Sequence, residues 1–164
     1  VGDDLTTHLI KAVAYANLGM IVESTNEFRF IETCGHNEFG KEVIRQNSER
    51  IAHSPNDIIS LNMLGFAYYA FGEYEKCLSC FESLTKLDSK NVWVHHYYAY
   101  SLARLGRMDE AIEILKTARE IDPGNEYTHL LLGLAFKEKG WYLLSFLELA
   151  RAGKAIGVLS SLTN

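Results

Sequence analysis

The chain contains only two prolines and three cysteines among its 164 residues. Three cysteines are too few, and odd in number, for a disulfide scaffold, so a reducing, cytoplasmic location is expected. No stretch approaches the roughly 20 consecutive apolar residues that span a bilayer, so no membrane insertion is expected. Basic residues are fewer than acidic ones, with 16 Lys and Arg against 21 Asp and Glu, so the formal net charge is −5. The sequence also contains no run of basic residues interleaved with aromatic residues. This balance argues against nucleic acid as a partner.

The two prolines mark an internal repeat. Pro55 and Pro123 are separated by 68 residues, which is twice 34, and Gly72, Gly106 and Gly140 recur at the same step of 34. A fixed period in this range is typical of stacked helical repeats. Because 48% of the residues are hydrophobic, the chain can also fill a core.

Each repeat contains two helical patterns joined by a tight turn. In the first repeat, Leu61, Leu64 and Tyr68 recur at helical spacing, Gly72 interrupts them, and a second apolar stripe follows. Neither helix can bury its stripe alone, so neighbouring helices must stack. Small residues at Gly65, Ala99 and Gly133 would let two backbones approach closely. The predicted organisation is three repeats at 58–91, 92–125 and 126–159, followed by a tail at 160–164.

The N-terminal region 1–57 is predicted to hold a capping helix and a degenerate fourth repeat. The capping helix would lie at 5–18, and the degenerate repeat would pair a helix near 23–34 with one at 38–53. The segment Phe28-Arg29-Phe30-Ile31-Glu32 also has a strand-like pattern. About nine helices and no sheet are expected in total.

The repeated residues resemble the tetratricopeptide repeat, whose pattern is a large residue, Leu-Gly, Tyr, Ala, an aromatic residue and Pro. The resemblance implies an all-α, right-handed superhelical stack of helix-turn-helix repeats, an α-solenoid. The matching positions are Leu61, Leu64-Gly65, Tyr68, Cys77, Phe81 and Ser89 in the first repeat; His95, Tyr98-Ala99, Leu102, Ala111, Leu115 and Pro123 in the second; and His129, Leu132-Gly133, Phe136, Ser145, Leu149 and Gly157 in the third.

In this family the first helices of successive repeats line a concave groove that holds a peptide or a partner helix. The resemblance therefore implies a non-catalytic interaction scaffold or adaptor that binds an apolar segment of another protein. The Lys and Asn clamp with which some relatives bind chaperone tails is absent, since Tyr97, Tyr127 and Leu131 stand at three of its places. The residues placed on the groove by register are Ile59, Asn62, Phe66, Tyr69, Trp93, His96, Tyr97, Tyr100, Arg104, Tyr127, Leu130, Leu134 and Lys137.

Two alternatives remain open. Small tetratricopeptide chaperones of bacterial secretion systems are similar in size, acidity and apolar groove. A nucleotide-binding enzyme is the more remote alternative, because the segment from Gly35 to Lys41 has most of a phosphate-binding loop. Glu42 stands where that motif needs Ser or Thr, and the helical pattern leaves no parallel sheet. A turn between helices is the simpler interpretation, and no enzyme activity or cofactor is expected.

The cysteine and histidine patterns do not indicate a metal site. Cys77 and Cys80 form a Cys-x-x-Cys, but a structural zinc site needs four ligands and no second pair exists. Buried small hydrophobic side chains explain the pair better. His95 and His129 are 34 residues apart, so they share one repeat position and are expected to pack.

The last predicted helix is apolar on nearly every side, which is unusual for a surface helix. Its outward positions carry Leu143, Leu144 and Leu147, where the second repeat carries acidic residues. Terminal repeats normally need a polar outer face. Residues 158–164 are expected to be too short for a covering helix. The cover would then be a second copy of this chain, a partner protein or a continuation of the chain, and self-association through these leucines is the favoured prediction.

Overall fold

A computed structural model describes residues 2–34 and 36–162. These residues form ten α-helices and contain no strand. The prediction of an all-α fold is therefore confirmed. The helices are α1 (Gly2–Asn17), α2 (Ile21–Thr33), α3 (His36–His53), α4 (Ile58–Ala70), α5 (Tyr74–Leu87), α6 (Val92–Arg104), α7 (Met108–Ile121), α8 (Glu126–Glu138), α9 (Tyr142–Arg151) and α10 (Ala155–Leu162).

The helix boundaries follow the 34-residue period of the sequence. The turn inside each of the three helix pairs contains a glycine in the left-handed region, with φ of +72° at Gly72, +75° at Gly106 and +74° at Gly140. Because side chains with a Cβ are strained there, glycine is the residue that permits this turn. The first helices begin at Ile58, Val92 and Glu126, and the second helices at Tyr74, Met108 and Tyr142.

Polar caps fix where the first helix of each pair begins. The side chains of Asp57 and Asn91 accept hydrogen bonds from the backbone N–H two residues later, and Asn125 accepts one from the N–H of Thr128. These bonds satisfy donors that have no partner within the helix. A hydrogen bond from Ser60 also holds the pKa of Asp57 below its ordinary value, so the cap is charged at neutral pH.

The chain divides into two compact units, the first ending at Ser89 and the second beginning at Lys90. In the first unit, α1 packs against α2, α3 against α4, and α4 against α5. In the second unit, α6 packs against α7, α7 against α8, and α8 against α9. Both cores are apolar: Leu64, Phe81 and Leu84 are buried in the first, and Leu102 and Leu132 in the second.

The N-terminal helices pair differently from the predicted degenerate repeat. The strand-like segment around Phe28 is part of helix α2, and α2 packs mainly against α1 rather than α3. The turn between α1 and α2 contains Gly19 at a φ of +74°, the same conformation as the later turns. Phe28 is held by tertiary contact, since its ring lies 5.4 Å from the ring of Phe66 on α4.

The tenth helix, α10, is a correction to the expected count of about nine. From the sequence, residues 158–164 are expected to be too short to form a helix. Helix α10 begins before that segment, at Ala155, and runs into it as far as Leu162. Gly153 takes a φ of +50°, and the Glu126 carboxylate accepts a hydrogen bond from the N–H of Lys154 at 2.8 Å. Glu126 thereby satisfies a donor at the start of α10.

The small residues inside the helix pairs are sites of close helix contact, as the sequence predicts. A Cβ at Gly65 would lie 2.9 Å from the ring of Phe81, and one at Gly133 would lie 2.6 Å from the Cγ atom of Leu149. The Gly133 site is the tighter of the two, because the backbone nitrogen of Leu149 is also only 3.2 Å away.

Replacing Gly133 by Ala should therefore lower the free energy of unfolding by about 2 kcal/mol, although alanine is the better helix former. Urea denaturation followed by circular dichroism measures this loss. The matched control is Gly157→Ala on α10, where an added Cβ meets nothing within 4 Å. Stability there should stay the same or rise by up to about 1 kcal/mol. Equal behaviour of the two variants would contradict the role of close contact at Gly133.

None of the described helices is long and apolar enough to cross a lipid bilayer.

Candidate partner-binding surface

The structure sorts the thirteen predicted groove residues into three groups by exposure. They come from α4 in the first unit and from α6 and α8 in the second. The exposed residues are Ile59, Tyr100, Arg104 and Lys137; the half-buried ones are Tyr69, Trp93, Tyr97, Tyr127 and Leu134; and the buried ones are Asn62, Phe66, His96 and Leu130. As placed, the four buried side chains do not present a contact surface to a partner.

In the first unit, N-terminal helices cover two of the four predicted groove positions of α4, Asn62 and Phe66. The Asn62 Oδ1 atom accepts a hydrogen bond from the Asn17 side chain of α1 at 2.9 Å, and its Nδ2 atom donates to the carbonyl of Ile58. Phe66 lies between two rings, each with its centroid 5.4 Å away: Phe28 of α2 and Phe81 of α5. Asn62 and Phe66 therefore hold helices of this unit together.

In the second unit, Leu130 is buried because α10 lies against α8. Leu130 forms a small apolar cluster with Ala152 and Ala155, and the half-buried Tyr127 and Leu134 pack on its margin. Ala155 is the first residue of α10, the helix that the sequence did not predict. The loss of Leu130 from the predicted surface thus follows from the same error as the helix count.

His96 is buried between α6 and α8. Its Nε2 atom lies 2.7 Å from the Thr128 hydroxyl, and the ring packs edge-on against Trp93. Among the described residues, its Nδ1 atom has no hydrogen-bond partner. Burial, reinforced by the neighbouring His95, lowers the pKa of His96 to about 3. The ring is therefore neutral at physiological pH and serves as packing rather than as a charged contact.

What remains in the second unit is an aromatic surface, defined here by Trp93, Tyr97, Tyr100 and Tyr127. The first three follow one stripe of α6 at a spacing of three to four residues. The Trp93 and Tyr127 rings, whose centroids are 5.3 Å apart, join this stripe to α8. Tyr100 is 46% exposed, and the other three rings are half-buried.

Two cations, Arg104 and Lys137, lie at the C-terminal ends of the same two helices, and both are exposed. Burial raises the pKa of Tyr97, so its hydroxyl stays protonated and can donate a hydrogen bond at neutral pH. The arrangement offers flat apolar rings beside positive charge. Such a surface suits an apolar segment with acidic neighbours.

A buried polar network in the second unit was not predicted from the sequence. The Nε2 atom of His129 donates to the carbonyl of Pro123 at 3.0 Å, and its Nδ1 atom lies 2.6 Å from a Glu148 oxygen. The other Glu148 oxygen accepts a hydrogen bond from Arg119 at 2.7 Å. Because a carbonyl can only accept, Nε2 carries a hydrogen and a further proton must lie between Nδ1 and Glu148. The network ties α7, α8 and α9 together.

A sequence signal for this network exists. Glu148 occupies the repeat position that holds Cys80 and Ile114 in the two preceding repeats. A carboxylate at an apolar repeat position is expected to be buried, and buried carboxylates need partners. His129, 19 residues earlier, is the partner that the structure provides.

Cys77 and Cys80 are buried, as the sequence predicts, and neither forms a disulfide, whereas Cys34 is exposed. Burial, aided by nearby Cys77, raises the pKa of the Cys80 thiol to about 12. A thiol that holds its proton so firmly is a poor nucleophile and a poor metal ligand. Across the described residues, no cluster of three or more His, Cys, Asp or Glu side chains is placed to hold a metal ion.

The segment resembling a phosphate-binding loop is helical where it is described. Gly35 lies outside the described residues, and 36–41 form the beginning of α3. The Lys41 ammonium group pairs with Glu38 at 2.8 Å, and the Cα of Gly40 lies against the ring of Phe71. Close packing therefore accounts for Gly40, and the loop conformation that the motif requires is not present at 36–41.

Comparisons with known proteins support the repeat pattern. The model of a family described as anaphase-promoting complex, cyclosome, subunit 3 matches residues 47–118. A tetratricopeptide repeat protein 30 homolog of Drosophila pseudoobscura pseudoobscura is 36% identical over 66 residues, which are 40% of this chain and 10% of that protein. The TPR repeat-containing protein MJ1428 of Methanocaldococcus jannaschii is 32% identical over 116 residues, which are 70% of this chain and 19% of that protein. The chain thus spans at most about a fifth of the length of these relatives.

Among solved structures, a crystal structure of MamA superposes on 98% of this chain and 97% of its own, with a TM-score of 0.68. The sequence identity is 16%, so this match concerns the fold alone. The sequence relatives confirm the resemblance to the tetratricopeptide repeat family, and the structural match supports the all-α repeat fold.

Proposed function

Because its resemblance to the tetratricopeptide repeat family is confirmed, we propose that this chain is a non-catalytic scaffold that binds an apolar peptide or helix of another protein. The aromatic surface of α6 and α8 is the proposed binding site. The observation that carries the proposal is the row of Trp93, Tyr97 and Tyr100 on one helix stripe, accessible at Tyr100 and backed by Tyr127.

Aromatic side chains suit this role for a physical reason. They give a large contact area for little lost side-chain entropy, and interface hot spots are enriched in Trp and Tyr. The exposed cations Arg104 and Lys137 favour a partner with acidic residues flanking its apolar segment. The matching family model is named for a subunit of a multiprotein complex, which is consistent with a scaffold.

Peptides selected from a display library against the whole chain provide a direct test. Truncating Tyr100 to Ala should weaken their binding by about 30-fold or more, which corresponds to the roughly 2 kcal/mol expected of an anchor. Tyr97→Ala should have a similar effect. Fluorescence anisotropy with labelled peptide measures both, and added salt should weaken the binding of acidic-flanked peptides further.

The matched control is Tyr142→Ala, which removes another exposed tyrosine, on α9. It should leave peptide affinity within about twofold of wild type, because single mutations outside an interface have little effect on it. Selected peptides that bind Tyr100→Ala and Tyr97→Ala as tightly as wild type would show that this surface is not the site.

A chaperone of a secretion system is the second candidate, favoured only by the apolar character of the same surface. It would bind a client before the client folds, so it predicts binding of unfolded apolar segments without a defined spacing. A scaffold instead predicts selected peptides with apolar residues at i and i+3 or i+4.

A further inference from the structure

Helix α9 exposes an apolar face that nothing in the described structure covers. Tyr142, Leu143 and Phe146 are 72%, 73% and 68% exposed, and Leu144 and Leu147 are 45% and 44% exposed. These five residues, named here the α9 face, surround the part of the helix that is not occupied by Ser145 and Glu148, which are buried. Monomeric proteins rarely leave so much contiguous apolar surface in water.

Comparison with α7 in the same unit shows how unusual this face is. One repeat earlier, the positions of Leu143, Leu144 and Leu147 carry Asp109, Glu110 and Glu113, all of them exposed. These repeat positions therefore face solvent, and α9 carries leucines there instead of the charged residues of α7. Phe146 corresponds to Ile112, which is only 1% exposed on α7, a helix that packs against both α6 and α8.

The tenth helix does not supply the missing cover. Its described contact is made by Ala155, which lies with Ala152 against Leu130 of α8. Ile156 on the same helix is 46% exposed. The α9 face keeps its exposure with α10 in place, so none of the described residues covers it.

We infer that the α9 face pairs with the same face of a second copy of this chain. The area is sufficient: five side chains with these exposures present about 600 Å² per copy. Two copies would bury at most about 1,200 Å², which reaches the lower end of stable specific interfaces. The face also carries no acidic side chain, so two chains of net charge −5 can approach there without local repulsion.

An antiparallel, two-fold arrangement of the two α9 helices fits the charges at their ends. Arg151 is the one exposed charged residue of α9, and its Nη1 atom is 3.6 Å from Glu148 of the same helix. In an antiparallel pair, each Arg151 lies near the Tyr142 end of the other helix. The two guanidinium groups are then kept apart, and each is placed beside an aromatic ring. Such a pair closes as a dimer instead of growing into a filament.

Sedimentation velocity over a concentration series tests the inference. The wild-type chain should sediment as a dimer, and Leu147→Glu should raise the dissociation constant at least 30-fold while the circular dichroism spectrum stays unchanged. The matched control is Ile10→Glu, which places the same charge on an exposed apolar position of α1. It should leave the dimer intact.

A charge-swap experiment distinguishes the symmetric pair from other arrangements. Leu147→Glu and Leu147→Lys should each be monomeric alone, and an equimolar mixture should recover the dimer because opposite charges then meet.

A wild-type chain that stays monomeric at every concentration overturns the inference. So does a dimer that Leu147→Glu leaves intact, or one that Ile10→Glu abolishes. These outcomes are independent of peptide binding at the aromatic surface, which involves α6 and α8.

Discussion

Replacing Glu148 by Ala should lower the free energy of unfolding by about 3 kcal/mol. Only 6% of its side chain is exposed, and it is the shared partner of His129 and Arg119. Removing it leaves the His129 Nδ1 atom buried without a partner and leaves Arg119 without its charge-assisted hydrogen bond. Breaking one member of a buried ionic network costs far more than breaking a surface ion pair. Urea denaturation of the purified variant measures the loss.

The matched control is Glu113→Ala on α7. Glu113 also forms an ion pair, with Lys116 at 2.7 Å, but its side chain is 69% exposed. This change should cost less than about 0.5 kcal/mol, because water already screens the pair. If the two variants lose the same stability, the buried network does not hold α8 and α9 together.

Replacing Glu148 by a leucine of similar volume gives a further comparison. A well-packed apolar residue avoids the desolvation of a carboxylate, and buried ion pairs often contribute little net stability relative to such a replacement. His129 would still lose its partner, so Glu148→Leu combined with His129→Leu should be more stable than Glu148→Leu alone. A higher free energy of unfolding in the double variant than in Glu148→Leu alone would measure the cost of leaving His129 buried without a partner. The difference between the double variant and wild type would then measure what the intact network contributes.

The sequence predicts the helix pairs because their determinants are local. The 34-residue step, the turn glycines such as Gly106, and the asparagine caps at Asn91 and Asn125 all act within a few residues of where they stand. The same pattern occurs three times at a constant spacing, so the three copies together predict the helix pairs more strongly than any one of them does. The all-α class follows from the same features.

The N-terminal and C-terminal helices were harder to predict because their determinants are distant in sequence. The start of α10 receives a hydrogen bond from Glu126, which precedes Lys154 by 28 residues. The strand-like segment around Phe28 is helical in α2, which packs mainly against α1 and places the Phe28 ring against Phe66 of α4. Tertiary contact overrides local propensity in both places.

The candidate site was partly predictable for a related reason. Helical spacing correctly groups residues that share a stripe of α4, α6 or α8, but it does not reveal which stripes other helices cover. Asn62 is bonded to Asn17, and Leu130 is covered by Ala155 of α10. The structure shows which of these residues are exposed: Tyr100 in the aromatic surface, the cations Arg104 and Lys137 beside it, and Ile59 on α4.

Acidification should destabilise this protein through His96. The folded state holds its pKa at about 3, against an ordinary value of 6.5, because the ring is 96% buried and lies beside His95. Between these two values the unfolded chain binds a proton at this residue and the folded chain does not. The contribution of His96 to the free energy of unfolding is therefore fully present above about pH 6.5. It falls by about 1.4 kcal/mol for each pH unit below that value.

Lowering the pH from 7 to 5 should thus cost about 2 kcal/mol at this one residue. His96→Gln removes the titrating group while keeping an amide that can reach the Thr128 hydroxyl. The loss of stability between pH 7 and pH 5 should be about 2 kcal/mol smaller in this variant than in wild type. Urea denaturation at both pH values measures the difference. The control His53→Gln changes an exposed histidine and should keep the wild-type acid sensitivity. If His96→Gln and His53→Gln show the same dependence on pH, the buried ring of His96 is not the source of the acid sensitivity.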